Sequence, residues 1–221
     1  MDKPPLVELT DVMIKNDRGG TVFRELNLEV EPGRSAVITG AAGAGKTMLV
    51  ELLIGARFPD RGSVTMFGRT LRRRKRGLVR KTRRQIGGVG GLFGLAPGLT
   101  VAENIALPMV ITSERKKIQR ERLRKMLAEF SLLKQAGEYP DSLTRVEASL
   151  VQFARASVAN QPLMIVDEPS AGLDPKTFIR VFEYLVKVSV TGRSMIILTS
   201  ETPEQPLPNT DYYQITNGAL E

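Results

Sequence analysis

Residues 40–47 read GAAGAGKT. They follow the apolar run Ser35-Ala-Val-Ile-Thr39 and precede Met48-Leu-Val-Glu-Leu-Leu53. The spacing G-x-x-x-x-G-K-[ST] is met by Gly40, Gly45, Lys46 and Thr47, with Ala41, Ala42, Gly43 and Ala44 between them. Glycines let successive backbone N–H groups curl around phosphate oxygens, a lysine reaches the β and γ oxygens, and a Thr hydroxyl binds Mg²⁺. A Gly-rich turn that only joins strand to helix has a similar outline. The short apolar strand before it and the helical segment after it favour the phosphate loop.

A magnesium-bound nucleotide needs a carboxylate from a second strand. Leu163-Met-Ile-Val-Asp167-Glu168 supplies an apolar strand ending in an acidic pair. Asp167 suits the metal's water shell, and Glu168 suits polarisation of an attacking water. The expected site therefore takes Mg²⁺ through Thr47 and Asp167 and nucleotide through residues 40–47, with Glu168 as the catalytic candidate. The guanine-reading sequence Asn-Lys-x-Asp does not occur.

The 221 residues, 42% of them hydrophobic, suffice for one large domain or a core with an inserted subdomain. No apolar run approaches the roughly 18 residues of a membrane span. The start MDKPPLVELTD lacks the uncharged core of a signal peptide, so a cytoplasmic location is expected. Absence of Cys excludes disulfides and thiolate metal sites, and absence of His removes the commonest general base. The net charge of +8 is concentrated between Arg69 and Arg84. Such a run reads as a solvated helical face, or as a surface for anionic lipid or nucleic acid; no aromatic residues interleave with the charges as single-strand stacking would want.

Alternation predicts strands over Leu6–Ile14 and Leu26–Val30, with a Gly19-Gly20 turn between them. Further strands are expected at Ser35–Thr39, Ser63–Phe67, Leu163–Val166, Met195–Leu198 and Tyr212–Thr216, and helices at 47–54 and Pro175–Val188. Thr100-Val-Ala-Glu103 and Thr144-Arg-Val-Glu147 are capping boxes that open helices, and Ser113–Leu133 has near-helical periodicity. Alternating strands and helices imply a mainly parallel, covered sheet. The Pro-rich stretch Thr202–Pro208 reads as a loop.

Asp167-Glu-Pro-Ser-Ala-Gly-Leu-Asp174-Pro, placed after the phosphate loop and a helical insertion, resembles the ATP-binding cassette family of transporter ATPases. Arg83-Arg-Gln-Ile-Gly87, Leu99-Thr-Val-Ala-Glu-Asn-Ile-Ala-Leu-Pro108 and Tyr139-Pro140 are similar to the group serving lipoprotein release, macrolide export and cell division. The resemblance implies an α/β P-loop NTPase with a mainly parallel core sheet, an N-terminal antiparallel β-subdomain and an inserted helical subdomain. It implies a single domain, with a core of about 1–90 and 159–221 and a helical part of about 91–158. The family also implies ATP and Mg²⁺ as cofactors. Its members work as head-to-tail dimers beneath a membrane-embedded permease, on the cytoplasmic face of the membrane.

Carried over residue by residue, the resemblance matches residues 40–47, Asp167, Glu168 and the loop Ser170–Asp174 that links the two sites of a dimer. Four positions depart from it. Gly91 stands where the family has a lid glutamine, and Leu143-Thr-Arg-Val-Glu147 stands where it has a Leu-Ser-Gly-Gly-Gln signature. Ser200 replaces the switch histidine that contacts the γ-phosphate, and Asn16 falls near the adenine-stacking aromatic residue. Three γ-phosphate contacts are thereby altered, and the expected protein binds Mg-ATP but hydrolyses it weakly, next to a second cassette of the same or a different chain. The alternatives are an active transport ATPase compensated by Arg145, Ser200 or its partner, and a nucleic-acid-acting cassette protein suggested only by the basic run.

Overall fold

The computed structural model describes residues 4–221. The first three residues of the proposed domain, and of the MDKPPLVELTD reading, lie outside the described residues. Two sheets share the core. Strands β1 (Val7–Lys15), β2 (Thr21–Val30), β4 (Arg61–Met66) and β5 (Arg69–Thr70) form an antiparallel sheet in the order β2-β1-β4-β5. The second sheet is ordered β10-β9-β3-β8-β7-β6. It consists of β3 (Ser35–Thr39), β6 (Ile86–Val89), β7 (Leu163–Asp167), β8 (Ser194–Thr199), β9 (Thr210–Thr216) and β10 (Ala219–Leu220). Its strand pairs are parallel except β9 with β10.

The central strands are buried on both faces, and their period-2 geometry divides their side chains between two cores. Ile38, Leu163, Ile165, Ile196 and Leu198 face the first core, with the antiparallel sheet and α1 (Lys46–Leu53). Val37, Met164, Val166, Met195 and Ile197 face the second. That second core is covered by α3 (Val101–Ile111), α4 (Lys116–Glu129), α5 (Arg145–Val158) and α6 (Pro175–Val190). The helix α2 (Arg76–Arg83) precedes β6, turning Val79 and Thr82 inward and its cations outward.

Each helix boundary has a local cause. The capping boxes at Thr100 and Thr144 are formed, each hydroxyl accepting the amide of the Glu three residues on. Asp174 caps α6, accepting from the Thr177 amide at 3.0 Å, with Pro175 preset for the first turn. The strand β2 starts at Thr21, earlier than the alternation indicates. Exposed Arg24 and Glu25 interrupt the inward rhythm at a register shift opposite Met13; a second irregularity in β1 falls at Asp11, where φ is 47° and the amide donates to Asn27 Oδ1.

Candidate functional site

Parallel order brings the site together. In the sequence β3-β8-β7 all three strands end on the same edge, so the loop after β3, Ser200 after β8 and Asp167-Glu168 at the end of β7 must be neighbours. Two bonds fasten the edge: the Gly40 amide donates to Thr199 O at 3.2 Å, and the Glu168 amide donates to Leu198 O at 2.8 Å. Sites in open parallel sheets form at this carboxyl edge.

The loop is shaped for an anion. Gly43 and Gly45 take φ of 83° and 106°, the left-handed region open to glycine. A Cβ on Gly45 would lie 2.7 Å from Val22 and 2.8 Å from the Phe23 ring, so the loop also rests on β2 with no room for a side chain. The Ala44 amide bonds to Ala41 O at 3.1 Å, while Ala41, Ala42 and Gly43 are exposed. Gly45 offers α1 no side-chain cap. The first-turn amides of α1 thus lack the Thr or Asp partner that α3, α5 and α6 possess. Thr47 is exposed in that first turn.

Lys46 is buried, and its ammonium is ringed by acceptors. Nζ donates to Gly40 O at 2.5 Å, to Ala41 O at 3.2 Å and to Ser200 Oγ at 3.1 Å, and lies 3.2 Å from Glu168 Oε1. Ser200 in turn donates from both its groups to Glu168, from N to Oε2 at 3.1 Å and from Oγ to Oε1 at 2.6 Å. Both carboxylate oxygens of Glu168, a residue with φ of 54°, are therefore engaged. Asp167 beside it is half-buried; burial, then the Glu168 charge, push its carboxyl above the usual range, with Lys46 opposing.

Gln152 was not singled out by the sequence, yet its Oε1 accepts the Gly90 amide at 2.8 Å. Gly90 lies against Asp167, where a Cβ would come within 2.7 Å of the aspartate's own. Gln152 thus fixes the backbone flanking the acidic pair. Its one sequence signal is a polar residue between two that are fully buried, Val151 and Phe153.

The departing positions fall as follows. Gly91 is exposed, with nothing within 4 Å of an added Cβ. Asn16 closes the β1–β2 hairpin, its Oδ1 accepting from Arg18 N at 3.0 Å and Gly20 N at 2.9 Å. At the start of α5 the Thr144 amide and hydroxyl donate to Glu147 Oε2 at 2.9 and 2.8 Å. These contacts hold the Glu147 carboxyl below its usual range and leave a negative charge on the helix N-terminus. Exposed Arg145 lies beside Gly172, its Cβ 3.7 Å from where one on that glycine would stand.

The family model described as ABC transporter matches residues 23–171. The cell division ATP-binding protein FtsE of Streptococcus pneumoniae is 31% identical over 194 residues, covering 88% of this chain and 84% of its own length. The L-cystine transport system ATP-binding protein TcyN of Escherichia coli is 32% identical over 196 residues, covering 86% and 78%. Among solved structures, a dimeric ATP-binding cassette in a post-hydrolysis state bound to ADP and Pi superposes with a TM-score of 0.85. It is 24% identical, with 97% of this chain and 96% of that one covered. CbiO1 from Clostridium perfringens, part of the ABC transporter complex cbiONQ, superposes at 0.82, with 21% identity and coverage of 100% and 88%. The fold is that of known ATP-binding cassettes, and the chain belongs to the ABC transporter family as an ATP-binding cassette.

Proposed function

We propose that this cassette binds Mg-ATP as the nucleotide-responsive subunit of a membrane complex and hydrolyses it weakly. Residues 40–47 hold the phosphates, Thr47 and Asp167 hold Mg²⁺, and Glu168 is the base for the attacking water. The fit is supported by the uncapped first turn of α1 and by buried Lys46, whose carbonyl acceptors are replaceable by phosphate oxygens. Among the described residues no group of three or more acidic side chains is arranged to hold a metal alone. Mg²⁺ here relies on the nucleotide's own oxygens, its usual habit at phosphate sites.

The observation that carries the weak-hydrolysis reading is the double engagement of Glu168 by Ser200, with Lys46 alongside. Donors already placed on both its oxygens must be shared or displaced before the carboxylate can orient and deprotonate a water. The charged cap at Glu147 adds to this, because an α5 N-terminus already occupied by a carboxylate receives a partner's γ-phosphate poorly. Each preorganised donor at a developing charge is commonly worth about 2.7 to 4 kcal/mol, so two missing contacts slow turnover by about four orders of magnitude.

The working unit is a head-to-tail dimer with a second cassette, the same or a different chain, attached to a membrane-embedded permease at the cytoplasmic face. No described helix is long and apolar enough to cross a membrane. In this reading residues of about 91–158 form the helical subdomain, and about 1–90 and 159–221 the core. Steady-state phosphate release by the purified protein tests it. Turnover little above background, with that remainder lost in Glu168→Gln, is expected; ordinary rates abolished by Glu168→Gln would identify a compensated, active ATPase instead.

A further inference from the structure

The nucleotide site makes no use of the positive charge between Arg69 and Arg84. This segment holds ten Lys and Arg and no Asp or Glu, whereas the whole chain holds 32 basic and 24 acidic residues. Without the segment the protein would be slightly acidic. The fold gathers these cations on β5, the following turn and α2, every one of them exposed. Among the described residues none of them enters an ion pair. Two have local duties: Arg83 donates to Ile54 O at 2.7 Å and Gly55 O at 3.2 Å, and Arg73 lies 5.9 Å from the centre of the Phe58 ring. A solvated face ordinarily mixes both signs, and the dipole of α2 is satisfied by one or two cations in its last turn. So dense a patch of one sign repels itself and calls for an external anion.

What lies beside the patch narrows the anion. Arg80, Arg83 and Arg84 share a hollow with Leu107, Pro108 and Ile111. Val110 and Ile111, at the end of α3, are 50% and 47% exposed. Cations next to exposed aliphatic side chains match a bilayer surface, where phosphates overlie acyl chains. A nucleic acid would want free aromatic faces among the cations, and the nearby rings, Phe58 and Phe93, are half-buried against the core. On the far side of the patch, Arg69, Arg72 and Lys75 line a second hollow with Thr70, suited to a phosphate headgroup.

We infer that the β5–α2 surface, with the aliphatic end of α3 beside it, binds an anionic lipid bilayer directly, without nucleotide and without a permease. The test is sedimentation of the full chain with vesicles of phosphatidylcholine alone, or mixed in equal parts with phosphatidylglycerol. Binding is expected to the mixed vesicles only and to weaken as salt rises. The triple variant Arg74→Gln, Arg76→Gln, Lys81→Gln should partition about 100-fold less, each neutralised cation removing a several-fold contribution. These three side chains are exposed and lie outside the nucleotide site, so retained ATP binding by the variant shows that it is folded. ATP binding read on the same samples also separates failure of this inference from failure of the nucleotide reading. Equal binding to neutral vesicles, no vesicle binding, an unaffected triple variant, displacement by inorganic phosphate at low concentration, or tighter binding to duplex DNA or RNA at the same salt would each overturn it.

Discussion

At Asp167 the fold keeps a carboxylate where its charge is poorly solvated and faces another carboxylate. The folded state therefore binds this proton more tightly than the unfolded chain does, so the stability cost of Asp167 is relieved as pH falls through its raised pKa towards the ordinary carboxylate value. Asp167→Asn should remove that cost, raising the melting midpoint of the nucleotide-free protein by about 2 °C while abolishing the gain in ATP affinity on adding Mg²⁺. Calorimetric melting and titration with and without Mg²⁺ check both halves, and a lower midpoint with Mg²⁺ dependence intact would contradict the assignment. For the parent protein the same proton would compete with a metal held by Asp167 as proposed, so Mg²⁺ enhancement should weaken on acidification. The strand-loop-helix around residues 40–47 was readable from the chain because its logic is local: a glycine-rich run between an apolar strand and a helix. The hold of Ser200 on Glu168 was not, because it joins residues 32 positions apart through the adjacency of β7 and β8.

At the level of elements, β6 is a strand that alternation does not announce. The run Ile86-Gly-Gly-Val-Gly90 has too few apolar side chains to stand out. In the structure a Cβ on Gly87 would stand 2.2 Å from the carbonyl oxygen of Ala156, so that glycine lets α5 lie directly on the sheet. The Ala156 oxygen also accepts from Arg193 at 2.6 Å, while the other arm of that guanidinium donates to Gln161 O at 2.7 Å; burial depresses the Arg193 pKa to about 10. Gly87→Ala should therefore cost about 3 kcal/mol in urea unfolding, since the obstacle is backbone that cannot turn aside. Gly91→Ala, with open space around it, should stay within about 0.5 kcal/mol of the parent. Comparable losses at the two sites would refute this account of the strand. Helix starts, by contrast, were readable in detail, because a capping box is a contact between residues three apart. The early start of β2 was obscured by the register shift at Arg24–Glu25, a property of two strands together.

For the whole molecule, strand order converts a one-dimensional pattern into a site. Alternating apolar strands and helices announce a covered parallel sheet. That β8 lies between β3 and β7, and so delivers Ser200 between Lys46 and Glu168, follows only from the folded topology. The same fold leaves two helix N-termini in contrasting states. The start of α1 is uncapped and shaped for phosphate, whereas the start of α5 is already neutralised by its own glutamate. A dimer built from such a subunit would grip nucleotide from one side more firmly than it completes the site from the other. The most direct test is to incubate the purified protein with Mg-ATP, recover the bound nucleotide and separate ATP from ADP. Recovery as intact ATP, near one per phosphate loop, is the predicted result; bound nucleotide found mainly as ADP, or none bound, would contradict it.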